Sequence, residues 1–490
     1  MKKTIIEKVY ELSQSHPDKV AVIADNREVC YGELFRLVSG YCHFLWSIGV
    51  KKGDIVIVKA SQTTEYVVAY LAIHLSGAVV VAVEKNAPSI MIDDIANRMN
   101  ASVIITNQLR FRDVVLENHR IMDCANNYFF DNNEFLFPDV DTISDIVFTT
   151  GTTGKSKGVM LTHQALIATA ENLIYGCGYT SNTVVIVPGP LNHSNAIRKL
   201  QVSLYCGGAI YLLNGILSIE SFYKALDYSH GRIGCCLPPS MVRKILQMSG
   251  NRIGEYDGKI DFIESASSPL PEVDKEKLCQ LLPHTRLYNN YGSTESASAC
   301  MYDYNQRKGM RNCVGKVLPN SKIYIVDENK NIIDSSNKII GLIACAGAVN
   351  MVGYYNDENA TKEVMNDGIV YTNDIGYMDD EGFVYVLGRK DDVINVGGFK
   401  VSPIEVEDVV LKYKGVEECI CVGLDHSTYG KVIKLLYVEN DYEKVDVKDL
   451  KRMLLNNLAS YMVPQFYEKV DEIKKTYNGK VDRKAYKNNC

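Results

Sequence analysis

Nowhere does this sequence stay apolar for the roughly 18 to 20 residues that a bilayer-spanning helix requires. Its most apolar run, GAVVVAV (77–83), has the length of a buried strand instead. The opening residues are not expected to act as an export signal either. The lysines after Met1 lead into a segment broken by Glu7, Lys8 and Glu11, which has the spacing of an amphipathic helix and no apolar core. The 14 cysteines form no C-x-x-C pair and lie mostly in apolar stretches such as GCCLPP (234–239) and CICVG (419–423). They read as free, buried thiols of a cytoplasmic protein rather than as zinc ligands or a disulfide framework. Arginine clusters are absent and the lysines are scattered. A net charge of −6 and a pI near 5.9 give nucleic acid no footprint.

What is present points to a folded, layered protein. Hydrophobic residues at 46% and charged residues at 23% are globular values, and 490 residues exceed one ordinary domain. Strand-like runs at 54–60, 184–189, 208–213, 232–237 and 259–265 alternate with helical stretches such as 220–228 and 239–248. That alternation predicts α/β layers with much parallel sheet. From about Ile323 the pattern becomes strand-rich, with Gly and Asp turns. The stretch GRKDDVINVGGFKVSPIEVE (388–407) marks a boundary. In it Ser402 caps a helix, Pro403 takes the first helical position and Glu405 completes a capping box. A helix–strand–strand–helix pattern follows. Two domains are expected, 1–388 and 392–490, with the joint at 389–392.

The segment DIVFTTGTTGKSKGVMLTH (145–163) contains G-K-S after a glycine-rich run. A nucleotide-triphosphatase P-loop needs a glycine five residues before Gly154, and that position is Thr149. Gly158 and Val159 also follow where a first helical turn should begin; the better helix start is Thr162, ahead of Leu166, Ile167, Ala170, Leu173 and Ile174. The classical P-loop is excluded. Even so, the hydroxyls of Thr149, Thr150, Thr152 and Thr153, the backbone at Gly151 and Gly154, and the charge of Lys157 suit an anion.

Three further segments carry polar chemistry. LYNNYGSTES (287–296) offers a ring for a base, Thr294 for phosphate and Glu295 as a hard oxygen ligand for Mg²⁺. YTNDIGYMDDEGFVYVLGRKDD (371–392) contributes Asp374 and Arg389, and YNGKVDRKAY (477–486) contributes Lys480. Taken singly, each reads as a polar turn or a solvated tail.

In order and spacing, however, the four resemble the AMP-forming adenylating enzymes: acyl-CoA synthetases, peptide-synthetase adenylation domains and luciferases. FTTGTTGKSKGV is similar to that family's T-S-G-T-T-G-x-P-K-G-V loop, with Thr150 for Ser and Ser156 for Pro. YGSTE matches Y-G-x-T-E, TNDIG stands for T-G-D with Asn373 replacing glycine, and GRKDD fits the hinge motif. NGKVDR matches G-K-[IV]-x-R, although Lys474 stands where a proline is usual. MVGYYNDENAT and YMVP have counterparts too, so the resemblance spans roughly 10–486.

The resemblance implies an α/β fold: a large N-terminal domain of layered sheets and helices, and a small α+β C-terminal domain that rotates on a hinge at Asp391. It implies ATP-dependent formation of acyl-AMP and pyrophosphate from a carboxylic acid, then transfer to the thiol of CoA. Loading of a separate acyl carrier protein is the rival reading, and a luciferase-type oxygenase is a remote third. Lys480 would bridge the carboxylate and α-phosphate. Thr149, Thr150, Gly151, Thr152, Thr153, Gly154 and Lys157 would hold the other phosphates, with Mg²⁺ on Glu295 and Thr150. Asn289, Asn290, Tyr291, Gly292, Ser293 and Thr294, with Ser267 of the SASSP turn, would surround the adenosine and phosphates. Asp374 and Arg389 would hold the ribose, and Gly397 and Gly398 would admit the pantetheine arm.

His193 matches the family's P-x-x-H position at the acyl entrance, with Asn192, Ser194 and Asn195 beside it. The peptide-synthetase pocket aspartate is missing from PLNHSN, which weighs against an amino-acid substrate. Arg198 stands on the following helix, either to pair with a second carboxylate or to face solvent. The departures Ser156, Asn373 and Lys474 motivate one non-enzymatic alternative, a homologue that binds nucleotide without turnover.

Overall fold

The computed structural model describes residues 2–105, 115–116, 121–128, 135–149, 156–215, 218–426, 429–475 and 481–487. The candidate residues Thr150, Gly151, Thr152, Thr153, Gly154 and Lys480 lie outside the described residues.

Local signals start the elements where the sequence suggests. Thr4 caps the amphipathic helix Ile5–Ser15, whose Ile5, Ile6 and Val9 are buried. Thr162 caps His163–Cys177, its hydroxyl accepting from Ala165 N at 3.2 Å, and Gly178 ends that helix at φ 72°. Ser402 caps Pro403–Val410 in the same way, accepting from Glu405 N at 3.4 Å.

Three sheets form among the described residues, of fourteen, seven and five strands. The seven-stranded sheet is built around Ile55–Ala60 and Val79–Glu84, paired in parallel. Val, Ile and Ala dominate both, as expected for strands covered on both faces. At its other side Ile143–Thr149 pairs antiparallel with Lys157–Thr162, so that Thr149 faces Lys157 across the ladder. The fourteen-stranded sheet runs parallel through Thr183–Val187, Arg232–Cys236, Ile260–Ser265 and Arg286–Ser293. It then turns antiparallel at Ala297–Asp303. Ligands of open α/β sheets bind outside the carboxyl ends of the parallel strands, where such an order changes.

Beyond Arg389 the chain builds a separate five-stranded sheet, starting at Ile394–Val396, with the helices Pro403–Val410 and Val447–Asn457. Its core of Ile394, Val401, Val406, Leu435, Leu450 and neighbours is its own. The molecule is thus a mixed α/β protein with a large N-terminal and a small C-terminal domain. Polar contacts join them: Glu272 N donates to Asp408 Oδ1 at 3.2 Å, and Lys412 lies 3.6 Å from Glu276. No described helix is long and apolar enough to cross a membrane. All described cysteines are free thiols, most of them buried.

Candidate active site

The loop after Arg286–Ser293 is held in shape by its own atoms. Ser293 Oγ accepts from the backbone N–H of Glu295 and of Ser296, both at 3.1 Å. A Cβ at Gly292 would stand 1.5 Å from the Ala297 carbonyl oxygen, so no other residue fits there. With the backbone pinned, Glu295 is aimed at two other segments. Tyr354 OH donates to its Oε1 at 2.9 Å, and Lys157 Nζ stands 5.0 Å above the Tyr354 ring. Tyr354 is delivered by the pairing of Gly353–Tyr354 with Met160 and Val159, next to the strand that begins at Lys157.

A second convergence joins Tyr291, Asp374 and Arg389. Asp374 and Arg389 face each other across an antiparallel ladder, and Arg389 Nε meets Asp374 Oδ1 at 2.9 Å. Tyr291 OH donates to the other oxygen, Oδ2, at 2.7 Å. Burial, reinforced by the Asp374 charge, holds the Tyr291 phenol well above its usual range. Beside them, Asn373 Nδ2 donates to Asp391 Oδ2 at 2.8 Å. The residue that replaces the family's glycine therefore touches the expected hinge.

The two asparagines before Tyr291 point to opposite sides, as neighbours on a strand must. Asn289 Nδ2 donates to the Cys313 carbonyl at 3.2 Å. Asn290 turns inward and donates to Glu264 Oε1 at 2.6 Å and to Ser298 Oγ at 3.0 Å. Its side-chain amide is thus committed to the interior. Glu264 also receives Lys199 Nζ at 2.7 Å, and both charged side chains are fully buried. Burial works against the Lys199 charge, but Glu264 outweighs it and leaves the ammonium above its ordinary value.

The helix Ser194–Cys206 has His193 as its N-cap. Ser194 Oγ lies 3.1 Å from Thr294 Oγ1, tying the helix start to the Glu295 loop. Asn195 Nδ2 reaches Cys236 Sγ at 3.4 Å, and Asn192 Oδ1 is buried without a partner among the described residues. Arg198 does not face solvent; that alternative is corrected by the structure, which leaves it 8% exposed. Its Nη2 donates to the carbonyls of Ser293 at 2.8 Å and Thr294 at 3.5 Å.

Ser267 takes a left-handed backbone, φ 79°, which a non-glycine residue adopts only under constraint from its surroundings. Gly397 and Gly398 form the two-residue connection between paired strands, at φ 57° and 92°. A hairpin turn of the type I′ class demands positive φ at both positions, so the turn alone accounts for both glycines. Arg483, three positions after Lys480 in the sequence, makes a two-pronged ion pair with Glu407, at 2.7 and 2.6 Å.

Sequence reasoning assigned no role to Tyr354 or Glu264. The signal for Glu264 was there, a carboxylate inside the apolar run KIDFIES; Tyr354 lies in the segment MVGYYNDENAT, which resembles the family without revealing a role for the tyrosine. No group of three or more metal-ligating side chains occurs among the described residues. A single carboxylate, Glu295, with one oxygen taken by Tyr354, suits a Mg²⁺ ion whose other ligands are phosphate oxygens and water.

The model of the AMP-binding enzyme family matches residues 10–355, and that of the AMP-binding enzyme C-terminal domain matches 405–480. The chain is 28% identical to the 2-succinylbenzoate–CoA ligase of Bacillus licheniformis, over 95% of this chain and 96% of that one. It is 25% identical to tyrocidine synthase 1 of Brevibacillus parabrevis, over 99% of this chain and 45% of the synthase. Among solved structures, ATP-bound MatB from Rhodopseudomonas palustris has the same fold, with a TM-score of 0.87, 22% identity and 99% of each chain covered.

Proposed function

This chain belongs to the AMP-binding enzyme family and is an acid–thiol ligase; we propose that it converts a carboxylic acid and ATP to acyl-AMP and pyrophosphate, then passes the acyl group to CoA. The observation that carries this reading is the convergence on one loop, 291–295, of two groups of side chains from distant segments. Tyr291 joins Asp374 and Arg389, and Glu295 joins Tyr354 and Lys157.

In the first half-reaction a carboxylate oxygen bonds to the α-phosphorus as the bond to pyrophosphate breaks. Two anions must approach, so fixed cations and N–H donors supply most of the catalysis. Lys157 and the loop of Thr149, Thr150, Gly151, Thr152, Thr153 and Gly154 hold the β- and γ-phosphates. Tyr291 and Ser267 flank the adenine, with Gly292, Ser293 and Thr294 beside the phosphates. Asp374 and Arg389 hold the ribose hydroxyls. Glu295 and Thr150 would hold Mg²⁺, which when bound offsets phosphate charge. Lys480 bridges the reacting carboxylate and the α-phosphate, and His193 orients the acid among Asn192, Ser194 and Asn195.

The second half-reaction needs Lys480 withdrawn. The units are 1–388 and 392–490, rotating at 389–392 about Asp391, and the turn at Gly397–Gly398 then faces the thiol. Likeness over 99% of the chain to a peptide synthetase favours a second reading, in which the acceptor is the pantetheine of a carrier protein.

Pyrophosphate release from a panel of aliphatic, aromatic, dicarboxylic and amino acids, with hydroxylamine as trap, tests both. Release accelerated by CoA, with an acyl-CoA product, is the expected result. Hydroxamate formation indifferent to CoA would move the acceptor to a carrier protein. ATP binding with no release for any acid would sink the adenylation reading.

A further inference from the structure

A cavity of about 380 Å³ lies against the seven-stranded sheet, apart from the nucleotide-side cluster. It opens where the parallel strands Ile55–Ala60, Val79–Glu84 and Ile143–Thr149 begin. Thr149 stands at the carboxyl end of the last of these, roughly 20 Å from Ile143 along the strand. The floor is apolar: Ile55, Val79 and Ile146 are buried, and Ile143, Met160 and the Tyr355 ring complete it. Lys52 and Asp141 stand exposed at the rim. The turns that carry them are fixed. Lys52 lays its stem over Gly77, where a Cβ would come 3.3 Å from its Cγ, and Gly53 N donates to the Gly77 carbonyl at 2.9 Å. Asp141 N donates to Asp139 Oδ1 at 3.2 Å, and Thr142 Oγ1 donates to the Asp139 carbonyl at 2.7 Å. Among the described residues, neither rim charge is spent on an ion pair.

The volume falls within the range of small-molecule sites, about 300–1,000 Å³. The lining narrows the occupant. A nucleotide would set its phosphates against Asp141 and over an apolar floor. A fatty acid would match Lys52 and leave its carboxylate facing Asp141, and an alkylamine would do the reverse. A molecule with an ammonium and a carboxylate at one end and an apolar body behind them matches anion, cation and floor together. That description is an apolar amino acid.

The cavity also shares its wall with the nucleotide-side cluster. Tyr354 and Tyr355 join different cores on opposite faces of the sheet, as neighbours in an extended chain do. Tyr354 OH reaches Glu295 at 2.9 Å, whereas Tyr355 OH donates to the Met99 carbonyl at 3.2 Å, at the end of the helix Ser89–Met99. Met160 faces Ile146 in one neighbouring strand and Gly353 in the other. A molecule packed against Met160 and Tyr355 therefore braces the register that holds Tyr354, Glu295 and Lys157 together. We propose that this cavity is an effector site for an apolar amino acid, whose binding tightens the hold on the phosphates of ATP. The coupling rests on the adenylation reading above; the binding does not.

The test is calorimetric titration of the full-length protein with leucine, methionine and phenylalanine. Isocaproate and hydrocinnamate serve as the counterparts without the ammonium, isoamylamine and phenethylamine as those without the carboxylate. Each titration is run with and without magnesium and α,β-methylene-ATP, whose α–β link cannot break. At least one amino acid should bind about tenfold or more tighter than its acid and amine counterparts. Lys52→Ala and Asp141→Ala change exposed side chains outside the catalytic groups, and each should weaken that binding about tenfold. The ATP analogue should bind roughly fivefold tighter when the amino acid is present, and by linkage the reverse holds. No binding of any of the three, equal binding of an acid or amine counterpart, or binding indifferent to both substitutions overturns the proposal. So does competition between amino acid and analogue, or an analogue affinity that the amino acid leaves unchanged. An analogue that fails to bind under either condition would count against the adenylation reading, and the titrations of the two variants would still decide the cavity.

Discussion

The nucleotide-side cluster and the attachment of the small domain are built in opposite ways. Around 291–295 polar side chains are tied to one another: Tyr291 to Asp374, Asp374 to Arg389 at the edge of the joint, Glu295 to Tyr354, Thr294 to Ser194. Below it lies the buried Lys199–Glu264 pair, which Asn290 completes. The small domain meets the large one through the Glu272–Asp408 hydrogen bond, the Lys412–Glu276 pair, a bond of 3.3 Å from Gln247 to Glu417, and the Asn373–Asp391 contact at the joint. The first arrangement is preorganised and costly to alter. The second includes a few polar contacts, one of them buried, which the proposed rotation would have to break. On the proposed function, recognition falls to the cluster of the large domain and the change between half-reactions to the seam.

The comparison breaks most sharply at Glu264. Glu264→Ala strands the Lys199 charge in the interior and should cost about 3–5 kcal/mol, measured by urea unfolding. A loss below about 1 kcal/mol would mean the interior relaxes and is not preset.

Next is Lys480→Ala, which should slow pyrophosphate exchange by on the order of 10²–10³, the scale of one preorganised donor. Thioester formation from supplied acyl-AMP should be far less affected. Unchanged exchange in that variant would remove Lys480 from the reaction.

A subtler break is made at the joint. Asp391→Pro should reduce thioester formation at least about tenfold while exchange moves less than about twofold. Asp391→Ala loses the same bond from Asn373 but keeps φ free, and should spare both steps. Equal damage to the two half-reactions by Asp391→Pro would deny the joint its role.

The smallest effect is expected at Asp408, whose carboxyl is pushed up to about 7, mainly by burial. An acid with a raised value binds its proton more tightly in the docked state than when exposed. Its contribution to docking is therefore complete at low pH and is lost as pH rises to about 7. Proteolytic cleavage at 389–392 should accelerate across that interval, and Asp408→Asn should flatten the dependence. A wild-type profile with no slope there would show that Asp408 is hydrated at the seam.

Much of this layout was legible in the sequence wherever the cause was local. Thr162 and Ser402 cap helices because a hydroxyl there reaches an amide three residues on. The strands around 55–60 and 79–84 announce themselves by being apolar on both faces. The candidate residues Tyr291, Glu295, Asp374 and Arg389 were likewise recognisable from their motifs. Their bonding was not. Tyr354 and Glu295 are 59 residues apart, and their contact follows from where two short strands pair. Asn290, one position from Tyr291, is spent on Glu264, which nothing in the NNYGSTE run foretells.

By itself, the order of residues determined which elements form and which family the chain belongs to, because caps, periodicity and loop spacing act within a few residues. Only the tertiary structure decided what each charge inside the molecule meets. Lys199 and Arg198 are neighbours on one helix with nearly the same surroundings in sequence. A residue 65 positions away neutralises one of them. The other ends on two carbonyl oxygens because the helix turns its side chain by a hundred degrees or so per residue. Electrostatic pairing depends on distance in space, which the chain settles only by folding.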